Sequence, residues 1–128
     1  MHSRFTVKTP YDIRERTFLF GCRTIDFCKS LLERPGVPRE LGRQFLHSGT
    51  SIGANLEEAG AGESKPDFRH KVSISRKEAF ESRYWLRLIV YSEESVSSVA
   101  APLIQECTEL IAILTTIRKN AESSSDRG

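Results

Sequence analysis

The chain is poor in the residues that most chemistry needs. Its 128 residues hold three cysteines and three histidines. Cys22, Cys28 and Cys107 form no C-x-x-C pair, and their odd number excludes a complete disulfide framework. His2, His47 and His70 supply no zinc-ligand spacing, and the E-x-x-H pair of di-metal helical bundles is missing. No metal and no cofactor are therefore expected. Long apolar runs are also missing. Apolar residues make up 38% of the chain but never stand more than a few in a row, so no membrane-spanning segment is expected. No apolar stretch follows Met1-His2-Ser3-Arg4, which predicts no signal peptide and a cytoplasmic protein. Strand-like alternation, hairpin signals and repeats are absent too, so no strand can carry a nucleophile elbow.

A dominant charge is the last absence. Nineteen Lys and Arg stand against seventeen Asp and Glu, a net charge of +2. That total is not the signature of a strongly basic nucleic-acid binder or of an acidic tail. It conceals a segregation, however. The net charge is +3 over residues 1–34, −2 over 35–64, +4 over 65–91 and −3 over 92–128. Like charges collect in blocks, and the faces they occupy decide what they do.

What is present is a pattern of four helices in one domain. Residues 1–11 form a polar lead-in, residues 12–120 the bundle, and residues 121–128 a polar tail expected to be disordered. Asp12 is placed to cap the first helix, with Glu15 completing a capping-box-like pair. Pro35-Gly36 ends it near Arg34, and Pro38 suits the first turn of the second. Gly60-Ala61-Gly62 stops the second helix near Ala59. Ser64 caps a long third helix, with Pro66 and Asp67 in its first turn, running to about Tyr91. Pro102 is expected to start the fourth, ending near Asn120. The glycine run is not a P-loop: it follows a helix and lacks the spacing. The fold class is thus all-α, an antiparallel up-and-down four-helix bundle.

At 100° per residue the second and fourth helices each carry one apolar stripe. Leu41, Phe45, Ser48, Ile52, Leu56 and Ala59 make the first, and Leu103, Cys107, Leu110, Leu114 and Ile117 the other. The first and third helices carry two. Phe18, Cys22, Ile25 and Leu32 oppose Ile13, Phe20, Phe27 and Leu31. Phe68, Val72, Ala79, Leu86 and Val90 oppose Ile74, Trp85 and Leu88. A bundle has one interior, so a second stripe predicts an interface. The expectation is a homo-oligomer meeting through Ile13, Phe20, Phe27, Leu31, Ile74, Trp85 and Leu88.

Two polar groupings are candidate sites. Asn55 falls on the apolar side of the second helix, and Glu58 and Glu81 lie near enough in pattern to join it in a structural polar network. An acid–base pair of Glu58 and Glu81 is the enzymatic alternative, and it requires a pocket around both carboxylates. The second grouping is a basic stripe. Arg69, Arg76 and Arg83 recur every seven residues, and Lys65 and Arg87 share their side of the helix. Such a row fits RNA or DNA binding without sequence readout. Its bland alternative is a solvated face neutralised by acids of the second or fourth helix.

The run Ser51-Ile52-Gly53-Ala54-Asn55-Leu56-Glu57-Glu58-Ala59 resembles the S-I-x-x-N-x-x-E segment of a bacterial four-helix-bundle family. That family is related to proteins encoded in intervening sequences of 23S ribosomal RNA genes. Phe68 to Leu88, with Lys71, Ile74, Lys77-Glu78-Ala79, Glu81 and Tyr84-Trp85-Leu86, resembles its F-x-x-K-x-x-I-A-x-K-E-A-x-E-x-x-Y-W-L form. The resemblance spans roughly residues 10–118. Here Ala59 and Gly60 follow where the family most often has Gly directly. The resemblance implies a left-handed up-and-down bundle and, by analogy with characterised relatives, a homopentamer. One such relative, the accessory protein of diversity-generating retroelements, is a basic pentamer that binds nucleic acid and a reverse transcriptase, which implies a nucleic-acid-processing protein as a partner. No catalytic residues come with the family. The expected function is a non-enzymatic, homo-oligomeric scaffold or adaptor that touches RNA or DNA through Lys65, Arg69, Arg76, Arg83 and Arg87. The alternative is a protein–protein interaction module without nucleic-acid binding.

Overall fold

The computed structural model describes residues 12–61 and 64–127, with side chains placed as far as residue 122. The lead-in and Gly62-Glu63 lie outside the described residues. Four helices follow one another: α1 (Ile13–Glu33), α2 (Val37–Ala59), α3 (Lys65–Ser92) and α4 (Ser97–Arg127), with a 3₁₀ turn at Glu94–Val96 before α4. No strand occurs among the described residues. α1 packs on α2, α2 on α3 and α3 on α4, and a sparser α1–α4 contact closes the ring. Short connections reverse the chain each time, which makes the all-α, antiparallel up-and-down bundle that the pattern predicts.

The helix starts follow local chemistry. The Asp12 carboxylate accepts from the Glu15 N–H at 3.2 Å, and the Ser64 hydroxyl accepts from the Asp67 N–H at 3.4 Å. Each satisfies one of the free donors of a first turn. Gly36 turns the chain between α1 and α2 at φ 83°, a conformation that glycine adopts without a Cβ penalty. Two boundaries differ from the pattern. α4 begins at Ser97, so Pro102 stands inside it instead of starting it. The ring forfeits one backbone bond in the second turn, but buried Ala100 and Leu103 on either side hold that turn against the core. At its other end the α4 backbone continues in helical form to Arg127, past the Asn120 expected as its limit.

The α1–α2 seam is built for close approach. Gly42 meets Leu31, Gly49 meets Thr24 and Gly53 meets the Thr17 backbone. A Cβ at Gly49 would stand 2.6 Å from both Thr24 Cγ2 and Oγ1, inside any tolerable contact. Thr24 spends its hydroxyl on the Phe20 carbonyl at 2.8 Å, so its burial leaves no donor unpaired. Above this seam Phe45 receives Phe20 and Phe27 edge-on, with centroids 6.2 and 5.7 Å away. Edge-to-face pairs of this kind add to the burial of the rings themselves.

This seam inverts the expected faces of α1. Phe20, Phe27 and Leu31 lie in the core of a single chain, Phe20 at 0% exposure, and Ile13 packs partly buried against them. They are not an outward stripe. Instead Phe18 is 52% and Ile25 46% exposed, and Cys22 is half-buried beside them. Periodicity had separated the two stripes of α1, but glycines on α2 decide which one turns inward. On α3, Val72, Ala79 and Leu86 are core as expected, while Ile74, Trp85 and Leu88 are half-buried.

The stretch Glu94–Glu122 is long and apolar enough to cross a bilayer by length and composition, with a mean hydropathy of 1.3 over its best window. The run-length criterion had not found it, because its apolar residues are interleaved with Thr and Glu. Its stripe of Ala100, Leu103, Cys107, Leu110 and Leu114 fills the bundle core.

Adding a methyl at Gly49 sets a gain in helix propensity of about 1 kcal/mol against an overpacking cost of about 1–3 kcal/mol. G49A is expected to lower stability in urea titrations by about 1 kcal/mol, and T24A in the same chain to recover part of it. G21A, where a Cβ meets nothing within 4 Å, is expected to raise stability.

Candidate nucleic-acid interface

α3 carries two polar edges with different tasks. The edge toward α2 is short and buried. Ser75 donates to the Ile52 carbonyl at 2.8 Å and Ser82 to the Ser48 hydroxyl at 3.0 Å. The edge toward α4 holds the basic stripe. Arg76 Nε donates to the Thr115 hydroxyl at 2.7 Å, and Arg83 Nη1 to the Thr108 hydroxyl at 3.1 Å. Seven residues up α3 are matched by seven residues down α4, so both contacts belong to one antiparallel register. Between the two arginines stands Phe80, 39% exposed, with the Arg76 guanidinium 5.0 Å and that of Arg83 5.3 Å from its ring centroid. Cation–π contact and a hydroxyl thus hold each guanidinium while leaving its charge intact.

The stripe has no acidic partner among the described residues. Ion pairs there join Arg16 to Glu106 and Glu109, Lys29 to Asp26, Arg34 to Glu93 and Lys71 to Glu58. None uses Lys65, Arg69, Arg76, Arg83 or Arg87. The neutralised-face alternative required carboxylates of α2 or α4 in this position, and threonines occupy it on α4. Lys65 and Arg87 are exposed, and Arg69 is half-buried with its Nε buried and unpartnered among the described residues. Motif reading missed the aromatic members of this edge. Tyr84 is 53% and Tyr91 89% exposed, and both lie with Phe80 and the arginines in a sector of roughly 100° on α3 at 100° per residue. The signal is present in the spacing 80, 84, 91, but the stripe is read from its charged residues alone, and these three aromatics join neither the expected core nor the expected interface.

The expected polar network does not assemble. Asn55 donates to the Ser51 carbonyl in its own helix at 2.8 Å. Glu58 is exposed and pairs with Lys71, and Glu81 is exposed on the outer side of α3. The residues diverge because Ser75 and Ser82, not the acids, take the α2–α3 seam. Among the described residues Glu58 and Glu81 are both exposed, and neither lines the groove between α1 and α2 or the groove beside Pro102. Glu78 is the carboxyl that the fold does strain. Burial raises its pKa, the neighbouring Glu81 charge raises it further, and His47 and Lys77 pull it back. Among the described residues no group of three His, Cys, Asp or Glu side chains could hold a metal.

Gly49-Thr50-Ser51-Ile52-Gly53 matches the letters of a nucleophile-elbow motif, but it lies inside α2. Ser51 donates to the His47 carbonyl at 2.6 Å, with no strand to expose it. Burial pushes the thiols of Cys28 and Cys107 up to about 12. Cys22 instead lines a groove of about 270 Å³ between α1 and α2, together with Phe18, Gly21, Ile25 and Ala54. Native protein held monomeric by dilution is therefore expected at pH 8 to take up a thiol reagent at Cys22 alone, and at all three cysteines once denatured. Rapid native labelling of Cys28 or Cys107, read by peptide mass, would contradict the burial.

Comparison with known proteins places the fold. The family described as 23S rRNA-intervening sequence protein matches residues 12–116. A crystal structure of a protein of unknown function from the S23 ribosomal protein family of Bacteroides thetaiotaomicron is similar, with 33% sequence identity and a TM-score of 0.76. The match covers 84% of this chain and 98% of that one. No curated protein matches. With most of the bundle matched in sequence and in fold, the chain belongs to the 23S rRNA-intervening sequence protein family.

Proposed function

We propose that the protein is a non-enzymatic homo-oligomeric scaffold that binds RNA or DNA, without sequence readout, along the α3 edge from Lys65 to Arg87. The observation that carries this reading is the Arg76–Phe80–Arg83 arrangement. Two guanidiniums are fixed by a ring and two threonines, and no carboxylate among the described residues pairs with them. Fixing cations in advance lowers the entropic cost of meeting a polyanion. Their pairing with phosphates releases counterions, which drives binding at low salt.

Charge reversal tests the reading. R76E/R83E is expected to abolish binding to generic nucleic-acid probes at about 50 mM salt. Milder R76Q/R83Q is expected to reduce the slope of log affinity against log salt by about 1.4 to 1.8, the share of two phosphate contacts. Absence of binding by the unaltered protein at that salt removes the reading and favours an interaction module without nucleic acid.

The oligomer is proposed to form through the corrected outer face of α1. Phe18, Cys22 and Ile25 flank an apolar groove, and exposed apolar surface of this kind marks interfaces. The pentamer implied by the family resemblance is the proposed stoichiometry. Light scattering at micromolar protein is expected to give a multiple of 14.5 kDa, and F18D/I25D to give the monomer with its helical content kept. A clean monomer of the unaltered chain would rule out the assembly.

A further inference from the structure

We infer that the nucleic acid taken by this edge is single-stranded, with bases stacking on Tyr84 and Tyr91 and the backbone meeting Arg87 between them; this rests on the nucleic-acid reading above. Tyr84 is 53% and Tyr91 89% exposed, the latter the most exposed large hydrophobic side chain among the described residues. Neither phenol has a hydrogen-bond partner there. Arg87 stands three residues after one and four before the other, so all three project from one face. At about 1.5 Å per residue the two rings are about 10 Å apart along the helix. The Trp85 ring, its centroid 5.5 Å from that of Tyr84 and its plane at 66°, steadies the first ring. Phe80 plays a different part: it is occupied by the two guanidiniums and positions them.

Charge and rings together discriminate between nucleic acids. A duplex offers phosphates to the arginines but keeps its base faces inside the stack, so two exposed phenols gain nothing from it. A single strand offers both, and base–aromatic stacking tolerates any sequence. α3 is also a 28-residue helix with its basic residues in one lengthwise row, and a duplex backbone curves away from such a row within about one turn of roughly 34 Å. A flexible strand can follow the row instead.

Fluorescence anisotropy at about 50 mM salt tests this with a labelled oligothymidylate of about 20 nucleotides and a mixed-sequence duplex of equal length. The single strand is expected to bind at least about tenfold more tightly. Y84A/Y91A is expected to weaken single-strand binding by about 10- to 100-fold and leave duplex binding within about twofold. Y84F/Y91F, which keeps the rings, is expected to retain single-strand binding. Both side chains are exposed, and circular dichroism checks that the helices persist. Equal or tighter duplex binding, or unchanged single-strand binding by Y84A/Y91A, overturns the single-strand inference while R76E/R83E still reports on the nucleic-acid reading. Failure of the unaltered protein to bind either probe overturns both.

Discussion

The contact on which the bundle depends is Gly49 against Thr24. With no Cβ at Gly49, α1 lies close enough for the threonine side chain to fill the space that a methyl would need. That approach brings Phe20 and Phe27 within edge-to-face reach of Phe45 and sets the rotation of α1 about its own axis. Once the rotation is set, everything else on the helix follows. Leu31 goes in over Gly42, and Phe18 and Ile25 go out. The apolar groove beside them is therefore a consequence of packing on the opposite side of the same helix.

α3 repeats the logic with polar groups. Ser75-Arg76 and Ser82-Arg83 are adjacent pairs one heptad apart. The short hydroxyls enter the tight α2 seam and bond Ile52 and Ser48. The long arginines lie over the α4 seam, where their stems cover apolar surface and their heads reach Thr115 and Thr108. Exchange of the two kinds of residue would bury charge on one side and leave the other seam loose. Placement of Arg76 and Arg83 is thus tied to the packing.

Much of this was legible in the sequence. Asp12 and Ser64 announced two helix starts, and the stripes of the second and fourth helices identified their core faces. The arginine spacing marked the basic edge. The α1 rotation was not legible, because both of its stripes are apolar and the deciding glycines lie on another helix. The start of α4 was hidden for a related reason. A proline signals the first turn only when nothing buried upstream extends the helix, and Ala100 does so here. Asn55, Glu58 and Glu81 misled because sequence spacing states which side of a helix a residue occupies but not which neighbour gets there first.

The net charge of +2 takes on a different meaning once the pairs are assigned. Glu106 and Glu109 serve Arg16, Glu58 serves Lys71 and Glu93 serves Arg34. These acids balance cations elsewhere on the bundle, so near-neutrality of the whole is compatible with an unneutralised row along one edge. At a distance below a Debye length of about 10 Å, a ligand responds to that row and not to the total. In a four-membered helical ring the α3–α4 edge and the α1–α2 groove face opposite ways. An assembly built through the groove would leave every basic edge open. Each added subunit would then present another row to the same polymer, raising its effective concentration without any new contact. Weak attraction per row is enough in such an arrangement, which is the regime that a small net charge permits.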